Sequence, residues 1–305
     1  MTRLALHAGP LHAEIDPGVG ASITDFSIDG PALDRYPLLR RAPGVLDDPA
    51  HAACFLLAPW SNRVAGARFA FEGKEHGLRA NFADGTAIHG DVCARPWKII
   101  DRTPISARLV FDSREYKGVN FPWSFASVVR YELSPDALSV ELSVTNVSDE
   151  PFPAGCGLHP FFARRIFSER DKVELRAPVA GLYPGEDQIP TGPHRPDEVS
   201  ERLTAGGPLG NVRLDDCFGG FAGRAEVVWP ASGVRLTMDC SDAMTHLITY
   251  TPQHEGQPMP WFCVEPVTNA NDGFNLHARG IDAGVRVLAP GETLNTTTTF
   301  HVRTE

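Results

Sequence analysis

Apolar and polar residues alternate with a period of two along most of the chain, and helical periodicity is nearly absent. Such alternation is typical of strands with one buried face. It is clearest in residues 123–133 and 137–146, which are separated by the turn-forming segment Ser134-Pro135-Asp136. The Thr-rich segment 294–302 predicts a terminal strand, because Thr is β-branched and fits a pleated, half-exposed surface.

Short breaks between alternating segments predict further hairpins. Residues 68–71 run into Glu72-Gly73, and residues 225–229 and 233–240 flank Pro230-Ala231-Ser232. The 26 prolines and 28 glycines are spread between the strand patterns as such breaks. The pattern therefore predicts an all-β fold of many short antiparallel strands with very little helix.

The organisation along the chain favours one domain. Residues 184–210 are rich in Pro, Gly and charge, and we interpret them as a long loop. The strand patterns before and after this loop are alike, and 305 residues fit one large domain or two ordinary ones. We therefore expect a single β-sandwich domain over residues 1–305.

Composition and charge disfavour several classes of partner. The net charge of −10 argues against nucleic acid and anionic membrane surfaces, since both require a basic protein surface. Glu14 and Asp16 interrupt the N-terminal segment, so we expect no secretory signal. The longest apolar run, residues 52–60, is far short of the roughly 20 residues of a membrane span. The six cysteines contain no C-x-x-C pair, which indicates reduced thiols and a cytoplasmic location.

A carboxylate at the end of an apolar run is the first candidate for chemistry. Glu265 follows Trp261-Phe262-Cys263-Val264, a segment that predicts a buried strand, and Pro266 is expected to end that strand. A carboxylate in this position is costly unless it is paired, hydrogen-bonded or facing a cleft. A structural acid, tied to a neighbouring backbone group or Arg, is the simplest alternative for Glu265 considered by itself.

Two histidines are placed where the backbone is restrained. His89 follows an apolar strand and precedes Gly90, which permits a close approach of the backbone. A buried, hydrogen-bonded imidazole is the structural alternative for His89. His159 follows Gly157 and precedes Pro160, which lacks an N–H donor and has a fixed φ, so we expect its imidazole to be held rigidly.

Two further polar segments suit a polyhydroxylated ligand. Asn62-Arg63 offers hydrogen-bonding groups beside the stacking face of Trp60, although an Arg that pairs with a surface carboxylate fits equally well. Asp215-Asp216 stands beside an aromatic residue, and by itself this segment is typical of an ordinary turn. The chain has no serine nucleophile elbow, no Gly-rich phosphate loop and no H-x-x-x-H metal motif.

These segments, in this order, resemble the aldose 1-epimerase (galactose mutarotase) family. The resemblance covers most of the chain and is carried by SNR at 61–63, IHG at 88–90, GLHPFF at 157–162, LDDCF at 214–218, VEP at 264–266, NDGFN at 271–275 and LAPGETL at 288–294. It implies a β-supersandwich with an open sugar-binding cleft. It also implies an enzyme that interconverts the α and β anomers of a free aldose without a cofactor.

The resemblance implies that Glu265 is the general base, His159 the general acid and His89 a second active-site histidine. Glu265 as carboxylate would take the proton of the C1 hydroxyl, and His159 as imidazolium would protonate the ring oxygen. We expect backbone N–H donors to keep Glu265 ionised and a nearby carboxylate to favour the imidazolium at His159. Arg63 and His89 would stabilise charge that develops on the sugar oxygens.

The resemblance also implies a set of sugar contacts. Arg63 and Asn62 match the motif that binds sugar hydroxyls, and Asp215 matches the sugar-binding aspartate. The family often shows Asp-His where this chain has Asp215-Asp216, so Asp216 remains a candidate as well. The expected partner is a monosaccharide, the expected assembly is a monomer or homodimer, and we assign no metal ligands.

Three alternatives remain open. Arg164-Arg165 follows the GLHPFF motif and could meet a phosphate, which would make the chain a sugar-phosphate (hexose-6-phosphate) 1-epimerase. A non-catalytic carbohydrate-binding protein of the same fold is the second, although a Glu and a His at the acid and base positions argue against it. Two histidines and a carboxylate could also ligate zinc or non-haem iron. Three aromatic residues could supply an apolar platform for the sugar, with core packing as the competing role of Trp60, Trp97 and Phe218.

Overall fold

The computed structural model describes residues 2–31 and 34–304, and antiparallel strands dominate it. In the first half of the chain the strands are β1 (Leu4–Ala8), β2 (Leu11–Asp16), β3 (Ser22–Asp29), β4 (Arg35–Pro37), β5 (Cys54–Leu57), β6 (Arg63–Val64), β7 (Arg68–Phe71), β8 (Lys74–Gly77), β9 (Ala87–Ile88), β10 (Lys98–Arg102), β11 (Ser106–Asp112), β12 (Phe125–Leu133), β13 (Ala137–Asn146) and β14 (Phe152–Ala154). In the second half they are β15 (Gly157–Ala163), β16 (Glu174–Arg176), β17 (Gly181–Leu182), β18 (Gly185–Glu186), β19 (Ile189–Pro190), β20 (Gly207–Pro208), β21 (Asp215–Gly219), β22 (Arg224–Trp229), β23 (Val234–Cys240), β24 (His246–Tyr250), β25 (Gln253–His254), β26 (Gln257–Pro258), β27 (Trp261–Val267), β28 (Arg286–Leu288) and β29 (Thr293–Thr304). The helical segments of the described residues are α1 (Glu198–Ala205), α2 (Gly273–Ala278) and the 3₁₀ turns Pro49–His51, Ala65–Ala67 and Ser113–Glu115.

Two large antiparallel sheets organise these strands. The first has ten strands in the order β1-β2-β3-β5-β15-β27-β24-β21-β17, with β4 paired to β3. The second has nine strands in the order β10-β11-β12-β13-β29-β23-β22-β16-β20. The long terminal strand β29 joins β13 to β23 in the middle of the second sheet. The prediction of an all-β fold with very little helix is confirmed.

The main core lies between the two sheets. Phe300 of the second sheet contacts Phe26 and Phe162 of the first, with ring centroids 6.2 and 6.3 Å apart. Tyr131 crosses between the sheets as well and donates its hydroxyl to the carbonyl of Ala21 at 2.6 Å. Burying each such aromatic side chain contributes roughly 1.5–3 kcal/mol. One cluster of buried apolar residues therefore includes members from both ends of the chain.

The strongest strand patterns are confirmed as hairpins. β12 and β13 pair in full register around the predicted turn at 134–136. β7 and β8 pair around Glu72 and Gly73, whose φ values of 49° and 74° place both in the left-handed region. β22 and β23 flank the break at 230–232. Local alternation and turn residues were sufficient to place these elements.

The expectation that Pro266 ends its strand is wrong. β27 continues to Val267, and Pro266 is the register partner of Leu247 in β24. The ladder between β27 and its other neighbour, β15, is interrupted beside Pro266 and Pro160. A central strand can include proline where the ladder is irregular, because the missing N–H then leaves no partner unpaired.

The predicted loop over residues 184–210 contains a helix. α1 begins after Asp197, whose side chain accepts the backbone N–H of Ser200 at 2.8 Å, and the Ser200 hydroxyl accepts the N–H of Asp197 in return. Leu203 of α1 is buried and belongs to the main core, so it attaches the helix to that core. The reciprocal capping pair was the local signal for this helix, and the surrounding prolines and glycines concealed it.

A second, smaller apolar cluster covers the other face of the ten-stranded sheet and includes Phe55, Phe161, Ile248 and Cys263. Polar residues that share this face are therefore set in apolar surroundings. Among the described residues, no helix is long and apolar enough to cross a membrane. The prediction of a single domain over residues 1–305 stays a prediction.

Candidate active site

His159 and Glu265 lie side by side near the middle of the ten-stranded sheet. The ladder between β15 and β27 forms at Gly157 and at Phe161 and is interrupted between them. The register on either side of this gap places His159 directly opposite Glu265, and antiparallel partners share one face of a sheet. The Nε2 atom of His159 lies 3.2 Å from Oε1 of Glu265. The predicted acid and the predicted base are therefore in direct contact.

Both members of this pair are buried and incompletely hydrogen-bonded. The side chain of Glu265 is 2% exposed and that of His159 is 10% exposed, so solvent reaches the pair past the imidazole. Within the described part of the chain, Oε2 of Glu265 and Nδ1 of His159 have no hydrogen-bond partner. Because buried polar atoms in native proteins are rarely unpaired, these two atoms are where a polar ligand would be expected to bind.

Two phenyl rings hold the imidazole of His159 in place. Phe55, its register partner on β5, stacks on it with ring centroids 4.5 Å apart and an interplanar angle of 24°. Phe161 stacks on it at 4.6 Å and 21°. The guanidinium of Arg40 in turn lies 3.4 Å from the centroid of Phe161. The imidazole plane is thereby fixed with Nε2 directed at the carboxyl group.

His89 reaches the pair from a left-handed backbone turn. His89 has a φ of 64° and Gly90 a φ of 74°, and a Cβ added to Gly90 would lie 2.0 Å from the carbonyl oxygen of Ala58. The His89 ring packs edge-on against that of His159 at 5.1 Å. Burial, assisted by the charge of Arg63, lowers the pKa of His89 to about 3. This imidazole is therefore neutral near pH 7 and offers one N–H donor and one acceptor.

Asn62 positions Arg63 and His89. Its backbone carbonyl accepts the N–H of His89 at 3.0 Å. Its side-chain Oδ1 accepts the backbone N–H of Arg63 at 2.8 Å and Nη1 of the same residue at 3.3 Å. Arg63 is held further by Asp84, which accepts its Nε at 2.9 Å. Asn62 is buried, and the side-chain oxygen of this predicted sugar-binding residue already accepts hydrogen bonds from Arg63.

Strand alternation separates the two adjacent aspartates. Cys217 pairs with Ile248, which pairs with Glu265, so these three residues share one face of the sheet. Asp215, two residues before Cys217, lies on the same face, whereas Asp216 lies on the opposite one. The structure therefore brings Asp215, and not Asp216, to the face that carries Glu265.

A cavity of about 390 Å³ lies beside the Asp215 end of this face, and its lining does not include His159 or Glu265. Asp215 and Asp216 both border it at the strand end, together with Asn271 and Gln188. Asn271 is 2% exposed and donates Nδ2 to the carbonyl of Gln188 at 3.1 Å. Its Oδ1 has no partner among the described residues. The sequence placed Asn271 in the NDGFN motif but gave it no role in the site, because an unpaired buried amide is visible only in the folded chain.

The protonation states expected from the sequence are not those that the surroundings favour. Burial, followed by the charge of Asp215, raises the pKa of Glu265 well above its usual range. Burial, followed by His89 and Arg40, lowers the pKa of His159 well below its usual range. None of the described backbone N–H groups donates to Oε2 of Glu265. We therefore expect the pair to hold one titratable proton and no net charge, because both directions disfavour ionising either group alone.

Among the residues that the structure describes, two groups of side chains could hold a metal ion. His159, Glu265 and Cys263 each offer one ligand atom, and these three atoms lie within 4.8 Å of one another. His89 is not part of this group, contrary to the two-histidine site considered from the sequence. The second group, His7, His12 and Asp29, lies at the surface on β1, β2 and β3.

The aromatic residues suggested as a sugar platform are in the main core. Trp60, Trp97 and Phe218 are each at most 1% exposed and belong to the cluster between the sheets. Core packing is therefore their role. The rings that stack on His159 are those of Phe55 and Phe161. Phe55 is the partner of His159 on β5, and Phe161 lies two residues after His159 on β15, so both face the site.

The basic pair Arg164-Arg165 lies away from the Glu265 face. Arg164 donates Nη1 to the carbonyl of Gly210 at 2.9 Å and lies over the ring of Phe262, which faces the main core. Arg165 pairs with Glu169 at 2.7 Å. Nε and Nη2 of Arg164 have no partner among the described residues, so the sugar-phosphate alternative stays open.

Comparisons with known proteins agree with this architecture. The family model described as Aldose 1-epimerase matches residues 4–301. The uncharacterized protein YphB of Escherichia coli K12 is 30% identical over 314 residues, covering 100% of this chain and 99% of YphB. A galactose mutarotase-like protein from Clostridium acetobutylicum has a TM-score of 0.85 at 21% identity, with 99% of this chain and 95% of that chain covered. The GalM/aldose epimerase homologue from C. elegans has a TM-score of 0.81 at 15% identity, with 99% of each chain covered. At these identities the two solved structures bear on the fold alone.

Proposed function

The chain belongs to the aldose 1-epimerase family, and on that premise we propose that it interconverts the α and β anomers of a free aldose. The single observation that carries this proposal is the contact between the His159 imidazole and the Glu265 carboxyl group at 3.2 Å. Anomerisation needs one proton donor and one proton acceptor on the same sugar, and a buried pair with unpaired outer atoms meets that need.

The shared proton gives the pair a simple catalytic cycle. In one tautomer His159 carries the proton and Glu265 is ionised, and in the other the carboxyl is protonated and the imidazole neutral. Ring opening takes a proton from the C1 hydroxyl onto Glu265 and gives one from His159 to the ring oxygen. The reaction therefore converts the first tautomer into the second with no change in net charge. Rotation about C1–C2 and the reverse transfers close the ring on its other face.

Three further groups would orient the sugar and its developing charge. His89, held neutral, would offer its N–H to a ring or hydroxyl oxygen. Arg63, which Asn62 and Asp84 hold in place, and Asp215 would bind hydroxyl groups. We expect these roles from the positions of the three residues. His89 contacts the ring of His159, and the charges of Asp215 and Arg63 act on the pKa of Glu265.

The direct test of activity is polarimetry on freshly dissolved crystalline aldoses. We expect the protein to accelerate the change in optical rotation of at least one of α-galactose, α-glucose and arabinose over the spontaneous rate. Glucose 6-phosphate belongs in the same panel, because a preference for it would support the sugar-phosphate alternative. Calorimetric binding of a sugar without any acceleration would instead favour a carbohydrate-binding protein.

Asp215→Ala should raise KM about 10–100-fold with a smaller change in kcat, because a charge-assisted hydrogen bond is worth roughly 1.5–3 kcal/mol. Arg63→Ala should have a similar effect for the same reason. Asp216→Ala is the matched control, since this carboxylate lies on the opposite face of β21, and its KM should stay within about twofold of wild type. Steady-state polarimetry measures both constants. Equal effects of the two aspartate substitutions would refute the assignment of Asp215 to the sugar.

The pH profile of kcat/KM should be broad. Burial lowers the pKa of His159 and raises the pKa of Glu265. The imidazole therefore gains a second proton only at a pH below its usual titration range. The pair loses its one proton only at a pH above the usual titration range of Glu265. The acid limb should therefore reflect His159 and lie below its unperturbed value of about 6.5, and the alkaline limb should reflect Glu265 and lie above its unperturbed value of about 4.3. Initial rates at subsaturating sugar, corrected for spontaneous mutarotation, give this profile. A narrow bell limited by those two values would mean that the pair titrates as two independent exposed groups.

A further inference from the structure

Three metal-ligating atoms of different chemistry converge at the centre of the site. The thiol of Cys263, the imidazole of His159 and the carboxyl of Glu265 lie within 4.8 Å of one another, and all three residues are buried. Cys263 and Glu265 are two residues apart on β27 and so share a face. His159 is directly opposite Glu265 on β15. The position of each ligand is therefore set by the pairing of two central strands and not by a loop.

The distance between the His159 and Glu265 ligand atoms is close to that between two ligands of one tetrahedral ion, and Sγ of Cys263 lies within 4.8 Å of both atoms. Zn²⁺ binds thiolate sulfur at about 2.3 Å and imidazole or carboxylate at about 2.0–2.2 Å, so neighbouring ligand atoms lie roughly 3.3–3.7 Å apart. The measured separation of Nε2 of His159 and Oε1 of Glu265 is 3.2 Å. Three protein ligands would leave the fourth position of a tetrahedral ion open. Sulfur, nitrogen and oxygen in one set select zinc-like ions over Mg²⁺ and Ca²⁺, which prefer oxygen alone.

The charge balance favours such an ion. A thiolate and a carboxylate with one neutral imidazole contribute two negative charges, so a divalent ion gives a complex with no net charge. The same burial that opposes a lone carboxylate therefore does not oppose this complex. Binding displaces the thiol proton and the proton shared by His159 and Glu265, two protons in all, and no redox change is involved.

We propose that His159, Cys263 and Glu265 bind a thiophilic divalent ion such as Zn²⁺, and that the bound ion shuts off the acid–base pair. The first part rests only on the arrangement of the three side chains. The second part rests on the proposed anomerase function, because the bound ion displaces the proton of the His159–Glu265 pair, and proton transfer to and from the sugar requires that proton. The ion is thus an inhibitor of this site, held in place of the sugar.

The binding test uses Co²⁺ as a spectroscopic stand-in for Zn²⁺. The full-length chain should carry His12→Gln, which removes the surface group His7, His12 and Asp29 as a competing site. Titration with Co²⁺ should produce a thiolate-to-cobalt charge-transfer band that saturates at one equivalent, and Zn²⁺ should abolish it. Mg²⁺ should not. Failure of the band to appear would overturn the proposal whatever the catalytic activity is.

Two substitutions assign the band to Cys263. Cys263→Ser keeps the side-chain volume and Cys263→Ala removes the polar atom, and either should abolish the band and weaken Zn²⁺ binding by more than about 100-fold. The matched control is Cys217→Ala, because this buried thiol lies on the same sheet face but outside the group of three. Binding that survives both Cys263 variants, or that is lost equally in Cys217→Ala, would refute the assignment.

The activity test separates inhibition from binding. Zn²⁺ should inhibit anomerisation by the wild-type chain in competition with sugar, and EDTA should restore the rate. Cys263→Ala should resist Zn²⁺ at concentrations that inhibit Cys217→Ala, with the rate of each variant expressed relative to its own rate without Zn²⁺. Binding without inhibition of an active enzyme would refute the second part of the proposal. A chain that shows the cobalt band but no activity on any aldose would contradict the proposed function and leave the metal site standing.

Discussion

Glu265→Gln should lower kcat/KM for anomerisation about 10²–10⁴-fold, the usual contribution of one positioned proton transfer. The amide has nearly the same shape as the carboxyl group and still contacts Nε2 of His159, but it cannot accept the proton of the C1 hydroxyl. KM should change little, because the sugar contacts of Arg63 and Asp215 are untouched. Polarimetry of fresh α-sugar, with the spontaneous rate subtracted, measures the loss.

The same substitution should leave stability unchanged or raise it. The folded chain raises the pKa of Glu265 by burial, so folding retains a proton that the unfolded chain releases. This cost is absent below the unfolded pKa of about 4.3 and grows as the pH rises through the interval up to the folded pKa. Gln carries no such cost. The melting temperature of Glu265→Gln should therefore equal that of wild type at pH 4 and match or exceed it at pH 7.

Thr249→Val is the matched control for Glu265→Gln. Thr249 is completely buried, its hydroxyl has no partner among the described residues, and it lies on the opposite face of the same sheet. Replacement of an unpaired buried hydroxyl by a methyl group should be neutral or stabilising and should not change kcat. Wild-type anomerisation by Glu265→Gln, or a large loss in Thr249→Val, would contradict the assignment of Glu265 as the base.

His159→Asn should also lower kcat/KM about 10²–10⁴-fold, since the amide cannot protonate the ring oxygen. Unlike Glu265→Gln, it should reduce stability, because Asn leaves part of the slot between Phe55 and Phe161 unfilled. Loss of a stacked, buried ring costs about 1–3 kcal/mol. Chemical denaturation and polarimetry on the same preparation separate the two effects.

His76→Asn provides a control with the same packing change elsewhere. His76 lies on β8 and stacks on Phe69 at 5.4 Å and contacts Trp123 at 4.5 Å, as His159 lies between two rings. Its substitution should cost similar stability and leave kcat within about twofold of wild type. If both histidine variants lost activity in proportion to their stability, the effect at His159 would be structural and the acid assignment would fail.

The fold was largely predictable because its signals are local. β12, β13, β22, β23 and β29 each alternate for five or more residues between turn-forming residues, and such segments need little tertiary information. α1 was missed because its eight residues lie within a Pro- and Gly-rich segment. Pro266 was misjudged for a different reason, since proline is tolerated in a central strand only where a neighbouring ladder is interrupted, and that neighbour is distant in sequence.

The residues of the site were predictable as a set, whereas their states were not. The five main motifs named His159, Glu265, His89 and Arg63 together, and the structure groups these side chains. Their roles stay predictions. The protonation of the pair was expected in the opposite sense, because the sequence does not reveal that none of the described backbone N–H groups donates to Oε2 of Glu265.

The sequence by itself determined the strand pattern, the family and the identity of the groups available for proton transfer, because each depends on short segments and their order. Only the tertiary structure decided that His159 and Glu265 touch, that Asp215 and not Asp216 shares their face, and that Cys263 completes a set of three ligands. These facts depend on the register between strands that are far apart in sequence. A shift of one residue in that register would turn every side chain of a strand to the other face of the sheet.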